Sequence, residues 1–289
     1  MAVGGIGGWY DGGRRPATAR RRVMDHRNAY ETAEFAEVYD AVYADRDDMG
    51  FWRAMAAAAG DGPLLEIGCG TGRVLLDLAR AGHEVTGLDL SATMIERARA
   101  KLQAEAPAVR ERVRLAVGDM TSFDLGRRFA ALVSPFGGFH HLTTVEQQLA
   151  CLACCRAHLR PSGTLVLDLF NPSPVPTDLL QDEPVDVEES ATVVEWTVGR
   201  RIRSWIDVVG YRPAEQVNEC ELVCEIVEVD GSSRRITDAF PLRYLFRYEL
   251  EHLLVRAGFE LVDLFGDYDR SPFADESPGM IAVARPLVD

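Results

Sequence analysis

Hydrophobic positions fall into two rhythms along this 289-residue chain, and the change from one to the other outlines its architecture. From Asn28 onward, Tyr30, Phe35, Tyr39, Val42 and Tyr43 recur near every 3.6 residues and predict a helix; an alanine-rich stretch from Met49 to Ala59 predicts a second. Beyond the Gly60-Asp61-Gly62-Pro63 breaker, short apolar runs alternate with helical spacers. Strands are expected at Leu64–Ile67, Glu84–Leu88, Val113–Val117, Phe129–Val133 and Thr164–Leu169, and helices at Arg73–Ala81, Ala92–Gln103 and Thr144–Leu159. Spacers of this length return each strand parallel to the last, which defines right-handed βαβ units on a doubly wound α/β sheet.

The alternation breaks near residue 173, after the proline-rich Asn171–Pro176 and the acidic Asp182–Glu189. Val193–Val198, Arg201–Val209, Glu219–Val229 and Arg235–Phe240 are rich in β-branched and aromatic residues, with Asp230-Gly231 as a hairpin turn, so an antiparallel insert is expected over 173–240. The α/β rhythm resumes with a helix at Tyr248–Ala257, ended by Gly258, and strands at Phe259–Phe265 and Gly279–Ala284. The division expected is a main domain of 28–172 and 241–289, the insert, and a flexible basic tail over 1–27.

Composition narrows the class. With 47% hydrophobic and 26% charged residues the chain reads as a soluble globular protein, neither disordered nor membrane-embedded. A net charge of -14 repels phosphate backbones, so nucleic acid is disfavoured as a partner. In the tail, six arginines against two aspartates leave +4, and the rest of the chain carries -18. Arg14-Arg15 resembles an export signal, but no apolar run follows it, and reduced thiols in the cytoplasm are the expectation. Cys151, Cys154 and Cys155 share a helix face while Cys220 and Cys224 fall on a strand, a spacing that suits packing better than a metal.

The segment richest in chemistry is Leu64-Leu65-Glu66-Ile67-Gly68-Cys69-Gly70-Thr71-Gly72-Arg73, between the first strand and its helix. Glycines at 68, 70 and 72 permit a sharp turn and let a ligand approach the amides at the helix start. Asp89 closes the second strand 21 residues after Gly68, where a carboxylate accepts ribose hydroxyls. Asp119 ends the third strand in Val117-Gly118-Asp119-Met120, placed to accept from an adenine amino group while Leu90 and Met120 cover the ring. A dinucleotide loop would need glycine at 73, where arginine stands. Glu66 would repel a pyrophosphate and suits a ligand bearing an ammonium group. Adenosine joined to an amino acid is S-adenosylmethionine.

With LLEIGCGTG at 64–72, VTGLDLSATMI at 85–95, VGDM at 117–120 and CCRAHLRPSGTLVLDLFNP at 154–172, the chain resembles the class I S-adenosylmethionine-dependent methyltransferases. The resemblance covers about 30–172 and 243–285. It implies a Rossmann-like seven-stranded sheet whose last strand runs antiparallel. It also implies that Gly68, Cys69, Gly70 and Gly72 hold the methionine portion, Asp89 the ribose, Leu90 and Met94 the adenine faces, and Gly118, Asp119 and Met120 its edge. The antiparallel insert after the fifth strand is similar to that of small-molecule enzymes such as nucleotide-sugar N-methyltransferases and glycine N-methyltransferase.

Methyl transfer from a sulfonium needs orientation and exclusion of water more than acid–base groups. Aromatic faces attract a sulfonium, so Tyr30, Tyr39 and Tyr43 are expected either to close over it or to form the docking stripe of their helix, with Tyr39 the preferred lid residue. Ser134 ends the fourth strand, and the following Pro135–Leu142 lies at the carboxyl edge where the transferred methyl would sit. His141, ahead of His140, resembles an active-site histidine. It would take a proton from a hydroxyl acceptor or only orient an amine; a histidine at a helix entry is the plainer alternative. Arg243 and Arg247, bracketing Tyr244-Leu245-Phe246, either clasp an anionic substrate or, as the plainer reading, form a solvated helix start. The expected activity is methylation of an N or O atom of a small-molecule acceptor, the insert shaping its pocket or a dimer contact. The alternative is an S-adenosylmethionine-binding enzyme that cyclises or isomerises instead.

Overall fold

A computed structural model describes residues 31–172 and 191–287. Its centre is a seven-stranded sheet formed by β1 (Leu64–Ile67), β2 (Val85–Asp89), β3 (Val113–Val117), β4 (Phe129–Ser134), β5 (Leu159–Phe170), β10 (Phe259–Phe265) and β11 (Gly279–Pro286). The spatial order is β10-β11-β5-β4-β1-β2-β3. The first five strands pair in parallel, and β11 runs antiparallel to both β5 and β10, as the sequence leads one to expect. Chain order reverses between β1 and β4, which opens a crevice at their carboxyl ends.

Helices cover both faces: α2 (Met49–Ala58), α3 (Arg73–Arg80) and α4 (Ala92–Gln103), the one-turn α5 (Pro107–Arg110), then α6 (Val145–His158) and α7 (Arg247–Arg256). Their starts follow side-chain capping. Ser91 Oγ accepts the Met94 N–H before α4, and Thr144 with Gln147 forms a capping box before α6. Alternation along β1 assigns its side chains to opposite faces. Leu65 and Ile67 join the core beneath α6 and α7 with Phe139 and Phe259, whereas Leu64 joins Phe51, Trp52, Leu75 and Leu78 under α2 and α3. Glu66, between them, points to the α3 side and is buried.

Differences from the expected elements are local. Leu159 belongs to β5 and not to the helix before it, because it pairs with Phe129; a register shift between Phe129 and Ala131 absorbs the residues before Thr164. Arg243 is buried and ion-paired with Glu249 at 3.0 Å, so it is not a solvated helix start. Cys151 and Cys155 pack in the core.

The second sheet is an antiparallel meander of β6 (Thr192–Thr197), β7 (Arg200–Arg212), β8 (Val217–Val227) and β9 (Ser233–Arg243). Asp230-Gly231 makes the β8–β9 turn, with Gly231 N–H donating to Glu228 O. Ile202, Cys220, Leu222, Cys224, Ile226 and Phe240 form its inner face. That face packs on Phe35, Ala36, Val38 and Val42 of α1 (Ala33–Val42) and on Met94. On the outer face Glu225 pairs with Arg203 and Arg235. The N-terminal helix therefore lies between the second sheet and the main one.

Candidate active site

The β1–α3 loop is built around three left-handed glycines, Gly68, Gly70 and Gly72, with φ of 67°, 52° and 80°. Residues with a Cβ resist this conformation. The turn aims the Gly70 N–H at Asp89 Oδ2, 2.8 Å away, while Asp89 Oδ1 accepts from Ser91 N at 2.8 Å. Each carboxylate oxygen keeps a free lone pair for a further donor. Burial raises the pKa of Asp89 despite these two bonds.

Glu66 lies beneath the loop at 2% exposure, and its Oε2 has no hydrogen-bond partner. Burial, opposed by Arg73 and reinforced by Asp89, pushes its pKa up to about 8. A buried carboxylate oxygen without a partner is costly, and a cationic ligand group would relieve that cost. Arg73 is itself engaged, donating to both oxygens of Asp48 at 2.5 and 2.7 Å. Asp48 also accepts from Trp52 Nε1 at 3.3 Å, and these donors outweigh its burial and hold its pKa low.

α1 closes this end of the crevice. Asp40 accepts from Thr71 Oγ1 at 2.6 Å, Lys101 Nζ at 2.7 Å and Arg97 Nε at 2.8 Å, tying α1 to the glycine loop and to α4. Tyr39 is half-buried, and burial, then Tyr43 and Asp89, raise its hydroxyl pKa. Its ring lies 4.6 Å from Tyr43 and 6.5 Å from Phe136, and Tyr43 lies 4.8 Å from Phe136. A cavity of 280 Å³ between α1 and the loop is lined by Tyr39, Asp40, Tyr43, Thr71, Arg73 and Lys101. A larger hollow of 480 Å³, lined by Arg128, Arg156 and Arg160 among others, lies at the opposite, amino ends of the strands and includes none of these residues.

At the β4 end Ser134 is fully buried, its hydroxyl without a partner. The turn that follows carries two histidines in different settings. His140 is fully buried: its Nε2 accepts the Phe170 N–H at 3.1 Å, so Nδ1 carries the proton and donates to the Arg243 carbonyl at 2.7 Å. Burial pushes its pKa down to about 4. His141 is exposed, 5.4 Å from the Phe240 ring of the second sheet, and crowding by the surrounding protein lowers its pKa.

The remaining predicted residues occupy distinct places. Leu90 is 70% exposed beyond Asp89. Met94 is 1% exposed and packs towards α1 and the second sheet. Met120 arches towards the glycine loop, its Cε 3.9 Å from where a Cβ on Gly68 would lie. Asp119 is exposed, with Oδ1 accepting from Thr121 N and Oγ1, both at 2.8 Å. Cys69 is 4% exposed, and Gly118 would place a Cβ 2.8 Å from Leu88. Tyr30 and the tail lie outside the described residues. The sequence reading missed Asp48, Asp168, Arg46 and Tyr268, which are joined to the site only by contacts distant along the chain.

Residues 64–163 match the family model described as a methyltransferase domain. Over 147 residues the chain is 33% identical to the dTDP-3-amino-3,4,6-trideoxy-alpha-D-glucopyranose N,N-dimethyltransferase of Streptomyces venezuelae, covering 47% of this chain and 56% of that protein. The chain spans about half the length of the curated relatives it matches first. Among solved structures, the CcbJ methyltransferase from Streptomyces caelestis superposes with a TM-score of 0.70 at 27% identity, covering 90% of this chain and 98% of the other. Streptomyces venezuelae DesVI gives 0.67 at 26% identity, covering 88% and 98%. In sequence and fold the chain resembles the class I S-adenosylmethionine-dependent methyltransferases. Within that class it is similar to the nucleotide-sugar N-methyltransferases.

Proposed function

We propose that the protein transfers a methyl group from S-adenosylmethionine to an amino nitrogen of a small-molecule acceptor, an amino sugar carried on a nucleotide. The observation that carries this reading is the buried Glu66 carboxylate, with one oxygen left without a hydrogen-bond partner, beneath a left-handed glycine loop whose Gly70 amide is bridged to Asp89. A cation beside a nucleoside is what such a cradle fits. The amino-sugar relative supports the acceptor class; nothing in the site favours a cyclising activity.

When bound, S-adenosylmethionine supplies an electrophilic methyl group on a positively charged sulfur. Glu66 would face the amino acid end, Asp89 the ribose hydroxyls, and Leu90, Asp119 and Met120 the adenine. Tyr39, Tyr43 and Phe136 form an aromatic wall suited to a cation. His141 would orient the acceptor nitrogen, and Phe240 of the second sheet, 5.4 Å from its ring, would face the acceptor beside it. All six thiols are free, which supports a place in the cytoplasm. Among the described residues no helix is long and apolar enough to cross a membrane.

The test is calorimetric titration with S-adenosylmethionine, followed by assay of S-adenosylhomocysteine release with thymidine-diphosphate amino sugars. Asp89→Ala should lose about 1.5–3 kcal/mol of cofactor affinity, the range for a hydrogen bond to a charged group. No binding by the wild-type chain at millimolar ligand would remove the proposal.

A further inference from the structure

The turn after β4 rests in a backbone state that its sequence does not favour. Phe136 takes φ of 56°, in the left-handed region, although it carries a side chain. Such a conformation persists where its surroundings over-determine it. Here they do so from three other parts of the chain. Asp168 Oδ2 accepts the Phe136 N–H at 2.7 Å, and the Asp168 carbonyl accepts the Gly137 N–H at 3.1 Å. The same Oδ2 accepts the Tyr268 hydroxyl at 2.9 Å. Tyr268 Oη accepts in turn from Arg46 Nη2 at 3.0 Å, and the Arg46 guanidinium lies 4.2 Å over the Phe136 ring. The circuit is closed and its directions agree: the guanidinium only donates, the carboxylate only accepts, and the hydroxyl does one of each.

We propose that Arg46, Tyr268 and Asp168 are positioning residues: a latch that fixes Phe136 and, through its contacts with Tyr43 and Tyr39, seats the C-terminal end of α1 over the cofactor cleft. The proposal rests on the methyltransferase reading for its ligand but not for its geometry. Arg46 lies four residues past the end of α1, so its bond to Tyr268, beside its 3.7 Å ion pair with Asp48, helps hold that helix end to the loop after β10. The Arg46 side chain is 29% exposed, at the edge of the protein, where such a bond opens without unfolding the core.

Tyr268→Phe in the full chain removes only the bridging hydroxyl. Stopped-flow fluorescence should then show S-adenosylhomocysteine leaving about tenfold faster, close to the ratio that one hydrogen bond controls, with the urea midpoint nearly unchanged. Arg46→Gln should give the same increase, and the double variant no more than either single change, because both break one circuit. Additive effects, or an unchanged release rate, would overturn the latch. Hydrogen exchange on the ligand-free protein separates this result from the functional proposal: Tyr268→Phe should speed exchange at the Phe136 amide and across residues 43–48 whether or not the wild type binds S-adenosyl compounds. Unchanged exchange there rejects the latch. Failure of the wild type to bind rejects only the methyltransferase reading. Should Tyr268→Phe fold poorly, Arg46→Gln, at a partly exposed side chain, carries both measurements.

Discussion

Glu66 shows how one side chain sets both an affinity and a weakness. Its ordinary carboxyl pKa is 4.5, and the folded chain raises it to about 8. Below pH 4.5 folded and unfolded chains both hold the proton. Between 4.5 and 8 the unfolded chain has released it while the folded chain retains it, so stability falls as pH rises through this window and levels off above it. Asp89 and Asp168 are raised as well, so the comparison with Glu66→Gln isolates the effect: urea unfolding of the ligand-free variant should lose a distinct part of that pH slope. A bound ammonium reverses the preference, and cofactor affinity of the wild type should increase from pH 6 to 8 while that of Glu66→Gln stays flat. The role proposed for His141 lies on the acceptor side. His141→Ala should lower kcat/KM for an amine acceptor about five- to thirtyfold, the effect of one or two kcal/mol.

Among the elements, α1 has the most varied attachments. One side is apolar, with Phe35, Val38 and Val42 against the second sheet. Another is ionic, through Asp40 to Thr71, Arg97 and Lys101. Asp40→Ala should therefore weaken S-adenosylmethionine binding by about 1–3 kcal/mol in calorimetry while leaving far-ultraviolet circular dichroism unchanged, since the helix keeps its apolar contacts. The sequence makes this element visible through its 3.6-residue stripe, and it makes β1, β2, β4 and the hairpin at Asp230-Gly231 visible through apolar runs and turn chemistry. The glycine loop is legible because left-handed backbone requires a particular residue. The circuit of Arg46, Asp168 and Tyr268 leaves no such trace: its hydrogen bonds join residues 222 and 100 positions apart, and each residue alone looks like an ordinary polar side chain. The structural role of His140 is hidden for the same reason, as its hydrogen bonds go to the backbone of Phe170 and Arg243, 30 and 103 positions away.

Across the whole molecule, two sheets share a helix instead of meeting face to face. Phe35, fully buried in the cluster that joins them, is the residue whose loss is felt on both sides. Phe35→Ala should cost about 3–5 kcal/mol in urea unfolding, and it should weaken cofactor and acceptor binding together, whereas a cavity under α7, as in Leu254→Ala, should lower stability and leave both affinities near the wild-type value. The excursion into the second sheet departs after Phe170 and returns at Arg243, and a single imidazole fastens both points to the turn that carries His141. A segment riveted at its two ends in this way can change its own contours while the glycine loop stays in place, so long as the rivet at position 140 is kept.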